Sequence, residues 1–323
     1  MSKHYRLRSA LTVLLVIVSL LVGCAAGTTG PGGSDLQGTV TVSGAFALYP
    51  MMVRWGEEFH KVAPGVEFDI SAGGAGKGMS DTLAGAVDIG MVSRDITPEE
   101  QAQGAFWVAV AKDAVFPGVN AQNPVLKDLL SKGVAREVLI DIYITGKITT
   151  WGAVVGRPEV TDPIHVYTRS DAAGAPDIWA KYLGNKKQED LLGIGVYGDP
   201  GIADAVIKDP LGIGFNNLNY AFDAKTGKPV AGLMVLPLDV NGNGQADPDE
   251  AIDSKSGAIQ AIATGKYPSP PARALNLVTK GKPTGLTQAF LVWVLNDGQK
   301  YLDEVGYIPL TQEQLATERD KLK

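Results

Sequence analysis

Residues 39–92 read TVTVSGAFALYPMMVRWGEEFHKVAPGVEFDISAGGAGKGMSDTLAGAVDIGMV, and this stretch decides the fold. Residues 39–42 alternate as a short strand, and a glycine turn follows at Ser43-Gly44. Leu48, Met51, Met52, Trp55, Phe59 and Val62 then recur at helical spacing. Pro50 suits the first turn of that helix, and Pro64-Gly65 stops it. Residues 66–70 make a second strand. The loop Gly73-Gly74-Ala75-Gly76-Lys77-Gly78 leads into a helix marked by Met79, Leu83 and Val87, and residues 88–92 form a buried strand. Strand, glycine turn and helix repeated in this way predict mostly parallel sheets flanked by helices.

The same alternation continues outward. Residues 106–111 and 114–119 are strands, and 124–130 and 134–142 open a second domain. Residues 164–167 run as a strand into Thr168-Arg169-Ser170-Asp171. A helix follows with Pro176 in its first turn, an apolar face of Ile178, Trp179, Tyr182 and Leu183, and Gly184 at its end. Strands at 213–215 and 275–278 and a helix over 287–295 complete the pattern. The expected organisation is one lobe built from 38–118 and 219–323 and a second from 119–218, with hinges near Val119 and Asn219.

Three turns use one device. Ser43-Gly44-Ala45-Phe46, Gly74-Ala75-Gly76 and Ala173-Gly174-Ala175 each stand between a strand and a helix start. A helix N-terminus carries unpaired amides and partial positive charge, and small residues let an anion reach them. Arg169, just before the third turn, adds a planar cation suited to two oxygens at once. Composition excludes other classes. The 323 residues carry 29 basic and 35 acidic side chains, a formal charge of −6, which argues against a nucleic-acid partner. One cysteine rules out an internal disulfide or a thiolate metal cluster, and three histidines leave little for an imidazole site. No nucleophile–base pair or phosphate-loop signature occurs, so no enzyme and no catalytic cofactor are expected.

The N-terminus reads as an address. Lys3, Arg6 and Arg8 precede an apolar run over 11–22, too short to span a ~30 Å hydrocarbon core but suited to a signal peptide. Leu21-Val22-Gly23-Cys24 resembles a lipobox, which places cleavage after residue 23 and lipid on Cys24. Residues 24–37, rich in Gly, Thr and Ser, form the tether. Removal of 1–23 leaves 26 basic and 35 acidic residues, hence −9.

Several strings together resemble the solute-binding lipoproteins of phosphate ABC importers. They are Val42-Ser43-Gly44 with Tyr49-Pro50; residues 73–79 with 87–91 and Ser93-Arg94; residues 110–114; residues 144–151; residues 164–171; and residues 306–310. The resemblance implies a two-lobed periplasmic-binding-protein fold of type II topology, with two crossovers as hinges. It implies an oxyanion in the interlobe cleft, bound by Ser43, Gly44, Ala45, Phe46, Gly74, Ala75, Gly76, Ser93, Arg94, Arg169, Ala173, Gly174 and Ala175. The implied partners are a small anion, a membrane permease and the bilayer, with the protein a monomer in the bacterial cell envelope. The chain departs from the family where Ser or Thr side chains normally meet the oxyanion: Ala45, Ala75 or Gly76, Ala173 and Ala175 lack hydroxyls, and the family's phosphate-accepting aspartate falls near Ser93, with Asp95 two residues on, so backbone amides and Arg169 remain. A sensor or interaction protein with an altered site is the alternative that this departure raises.

A separate pattern lies at 239–250. Asp239, Asn241, Asn243, Gln245, Asp247 and Glu250 fit the spacing of a 12-residue calcium loop, with Gly244 at the sharp turn. The expectation is a structural Ca²⁺ clip.

Overall fold

The computed structural model describes residues 36–323, so the signal peptide, Cys24 and all but the last two tether residues lie outside the described residues. The strands are β1 (Gln37–Gly44), β2 (Gly65–Ala72), β3 (Ile89–Val92), β4 (Ala105–Asn120), β5 (Val134–Ala135), β6 (His165–Arg169), β7 (Ile194–Val196), β8 (Gly212–Asn217), β9 (Leu233–Val235), β10 (Leu238–Asp239) and β11 (Ala272–Lys280). They form one mixed sheet in the order β2-β1-β3-β11-β4-β8-β6-β7, with β9 beside β4, and a small β10-β5 pair. At one end β1 runs parallel to β2 and β3; at the other β6 runs parallel to β7 and β8. Antiparallel β11 and β4 join the two ends.

The long strand β4 explains the architecture. Its first part pairs with β11 from Ala105 to Ala114, and its second pairs with β8 from Val115 onward. The apolar side chains divide at the same place. Val42, Leu48, Trp55, Val108, Leu277 and Phe290 belong to one core, whereas Val115, Phe116, Tyr143, Trp179, Phe215 and Phe222 belong to another. The helix Tyr49–Val62 shows how sequence builds the first. It buries Met51, Met52, Trp55 and Phe59 against the sheet, and the Trp55 indole N–H donates to the Gly298 carbonyl at 2.9 Å. Truncating such a buried aromatic to Ala costs about 3–5 kcal/mol.

The segment after 218 departs from the sequence reading. Phe222, Leu238, Ile252, Ala258 and Tyr267 pack in the second core and not the first. Phe116 accounts for this, with the rings of Phe222 and Tyr267 at 5.7 and 4.7 Å. The chain enters the second core at Ala114 and leaves it after Ala272, with Ile308 packing back against it. The boundaries near Val119 and Asn219 shift accordingly. Among the described residues no helix is long and apolar enough to cross a membrane.

Candidate functional site

All three glycine turns meet. Gly44 ends β1 at φ +131°, and a Cβ there would collide with the Met91 carbonyl and Gly78, so only glycine fits. The Gly44 carbonyl accepts from the amides of Gly73 and Gly74 at 2.9 and 3.1 Å, which ties the first turn to the second. Gly76 N donates to Ala172 O at 3.0 Å, tying the second turn to the third. The ring of Phe46 lies 5.4 Å from the Arg169 guanidinium, and Gly174 packs against Ser93. Lys181 Nζ reaches Asp95 Oδ2 at 2.6 Å across the same junction.

The hydrogen-bond ledger separates spent amides from free ones. Ala45 N donates to Met91 O at 2.8 Å, and Ala173 N to the Gln188 side chain at 3.2 Å. The amides of Phe46, Ala75, Gly174 and Ala175 have no acceptor among the described residues. Ala75 opens the helix Ala75–Ala84, and Gly174 and Ala175 open the helix Gly174–Tyr182, where no intrahelical acceptor exists. Ala75, Gly174 and Ala175 are also buried. Buried amides without partners are rare, because each costs roughly 1–3 kcal/mol.

Arg169, at the end of β6, is 4% exposed. Its Nε and Nη2 donate to the two carboxylate oxygens of Asp171 at 2.8 and 2.5 Å, and its Nη1 donates to Asp199 Oδ2 at 2.6 Å. Burial works against the Asp171 carboxylate, but the Arg169 fork overrides it and holds the acid below its usual range. Burial likewise works against the Arg169 charge, and Asp199 and Asp171 together still raise its pKa. From Asp199 the network runs on through Asn217 to Arg273, which donates to Gly174 O at 2.8 Å and lies 3.5 Å from Asp113.

Two expected ligand residues point elsewhere. The Ser43 hydroxyl donates to Asp81 Oδ2 at 2.7 Å, an oxygen that Lys77 also holds. Arg94 is clamped by both oxygens of Glu100 at 2.9 and 2.6 Å. Sequence reasoning missed Asp113, Asp199, Asn217 and Arg273. A lone carboxylate inside the apolar run of β4 signals the first. A fourth small-residue turn, Tyr197-Gly198-Asp199, signals the second: Gly198 has φ +74° and opens the helix Gly198–Lys208. Asn217 and Arg273 carry no local signal.

The 239–250 loop is organised by its own amides. Asp239 accepts from the amides of Gly242, Asn243 and Gly244 at 2.8–3.1 Å. Glu250 accepts from Val240 N and Asp247 N at 2.7 and 3.1 Å. Asp247 accepts from the side-chain amides of Asn241 and Asn243 at 2.7 and 3.0 Å, and the Gln245 amide donates to Asn243 at 2.8 Å. Among the described residues no three His, Cys, Asp or Glu side chains converge at metal-binding distance.

Comparison with known proteins agrees with this architecture. The family described as a PBP superfamily domain matches residues 29–298. The phosphate-binding protein PstS of Bacillus subtilis is 26% identical over 313 residues, covering 93% of each chain. PstS of Methanocaldococcus jannaschii is 26% identical over 346 residues, covering 89% of this chain and 87% of the relative. Among solved structures, a putative phosphate ABC transporter substrate-binding protein with bound phosphate from Clostridium perfringens superposes with a TM-score of 0.68 at 24% identity. That match covers 85% of this chain and all of the other. An ABC-type phosphate transport receptor from Vibrio cholerae gives 0.61 at 20%, covering 84% of this chain and all of the other. At these identities the structural likeness speaks to fold.

Proposed function

The chain belongs to the PBP superfamily domain family, and from that premise we propose that it is an extracytoplasmic solute-binding lipoprotein of an ABC importer. Its ligand is phosphate or a related oxyanion, taken where the three glycine turns meet. One observation carries the reading: the three turns, tied to one another by backbone hydrogen bonds, leave four amides, those of Phe46, Ala75, Gly174 and Ala175, without an acceptor among the described residues, and the Phe46 ring lies against Arg169. Each amide-to-oxyanion bond contributes roughly 1.5–3 kcal/mol in such a site. The names of the relatives from Bacillus subtilis and Methanocaldococcus jannaschii favour phosphate within the oxyanion class. Closure of the two cores around the anion would present a changed surface to the permease, and acylated Cys24 would keep the receptor at the membrane. Isothermal titration of residues 24–323 with phosphate, molybdate, tungstate and sulfate tests the ligand. Saturable heat with at least one anion is expected, and absence of heat with all four removes the oxyanion reading. Globomycin, which blocks lipoprotein signal cleavage, tests the anchor: the uncleaved chain should accumulate.

The 239–250 loop we assign to a hard divalent cation, on the oxygen-only chemistry and spacing of its six candidate ligands. Ca²⁺ would act there as a structural clip. Thermal unfolding in Ca²⁺ against EGTA should differ by several degrees, and Asp239→Ala should erase the difference. Equal midpoints in the two buffers would end the assignment.

A further inference from the structure

Arg169 has more negative charge against it than it needs. Asp171 alone satisfies its Nε and Nη2 through a two-point bridge, and Asp171 also accepts from Gly198 N at 3.0 Å, anchoring the turn before the next helix. Asp199 adds a second carboxylate on Nη1, itself 1% exposed. It is held in place, because its other oxygen accepts from Asn217 Nδ2 at 2.6 Å and from Asn217 N at 3.3 Å. One guanidinium between two fixed carboxylates leaves a local charge of −1 next to amides that favour an anion.

Building on the oxyanion reading above, we propose that Asp199 is the specificity-determining residue of the cleft, a resident counter-anion with which any incoming oxyanion must share Arg169. Asp199 repels the solute in proportion to the solute's own charge. In a buried site this Coulomb penalty is screened far less than it would be in water. The cleft therefore disfavours doubly charged oxyanions, and affinity is set by this carboxylate as much as by the amides. Asp199 is not needed to compensate Arg169, which Asp171 already does.

The test uses residues 24–323 carrying Asp199→Asn, and the exchange Asp199→Asn with Asn217→Asp. The exchange keeps net charge and buried composition but moves the carboxylate from Arg169 toward Arg273. Asp204→Asn, an exposed acid on the same helix paired with Lys208, controls for overall charge. Phosphate, sulfate and molybdate affinities are measured at one pH by titration, with thermal unfolding checked for each protein. Asp199→Asn and the exchange should each bind at least 10-fold tighter than the wild type, and Asp204→Asn should match the wild type. Should Asp199→Asn fail to fold, the exchange variant decides. Wild-type binding with equal or weaker affinity in the Asp199 variants overturns the proposal and leaves the oxyanion reading intact. Absence of binding in all four proteins overturns the oxyanion reading itself, and this proposal with it.

Discussion

Arg169 and Arg273 are both buried, stand at the two ends of one hydrogen-bonded network, and are treated in opposite ways. Arg169 has three charge-assisted bonds to two carboxylates, and its pKa rises despite burial. Arg273 has one ion pair, with Asp113 at 3.5 Å, feels Asp199 and Asp177 at longer range, and donates to neutral oxygens of Gly174 and Asn217. Arg273 Nε and Asp113 Oδ2 have no hydrogen-bond partner among the described residues. Burial lowers the Arg273 pKa and pushes Asp113 up to about 6. The two pairs also differ in place. Asp113 and Arg273 are cross-strand partners on β4 and β11, where the chain passes from one core to the other, while Arg169 sits at the converged turns. Both carboxylates at the turn end are hydrogen-bonded to Arg169, whereas at the crossover end burial outweighs pairing, and that is where charge state can change.

The largest effect should follow removal of the compensated guanidinium. Arg169→Ala strands Asp171 and Asp199 in the interior, which should lower stability by about 3–5 kcal/mol and abolish anion binding. Chemical unfolding and titration read both quantities, and unchanged affinity would place the site elsewhere.

The crossover end should respond to pH instead. Asp113 binds a proton more readily in the folded chain than its ordinary value of 3.8 allows. The native state therefore holds the extra proton between about pH 4 and 6, and stability falls as pH rises through that window. The full loss, roughly 3 kcal/mol at 1.36 kcal/mol per unit, is reached by neutral pH. Asp113→Asn should lose this slope, so its stability relative to the wild type should improve from pH 4 to pH 7. Parallel pH profiles for the two proteins would remove the distinction between the two guanidiniums.

The smallest expected effect is at Phe46, whose ring lies against Arg169. Phe46→Leu keeps apolar volume but removes the cation–π contact and the edge-on contact with Tyr197, together about 1–2 kcal/mol of stability by chemical unfolding. Among the described residues no ring lies over Arg273, so Phe46→Leu should cost the same in an Arg273→Lys background, and a smaller cost there would tie the ring to Arg273.

The sequence made the strand–turn–helix alternation legible at its first turns, where β1 ends on Gly44, the next helix stops before Pro64-Gly65 and β2 runs into Gly73-Gly74. The three turns could be read as one site because each presents a helix start after a strand. Their partners could not. Asp199 reaches Arg169 from 30 residues away, and Arg273 reaches Gly174 across 99 residues, so neither pairing has a local pattern. Asp113 looks like a polar interruption of a strand until β11 is placed beside it. Residues 222–267 carry no local mark of their core for a similar reason. Their apolar residues are scattered among Gly, Pro and Asp, and only the rings around Phe116 show which core takes them.

Anomalous scattering from crystals of residues 24–323 grown with tungstate locates the bound anion without ambiguity. One tungsten peak is expected within hydrogen-bonding reach of the Ala75, Gly174 and Ala175 amides and of the Arg169 guanidinium. A fully occupied peak elsewhere, with these amides closed on protein acceptors, would contradict it.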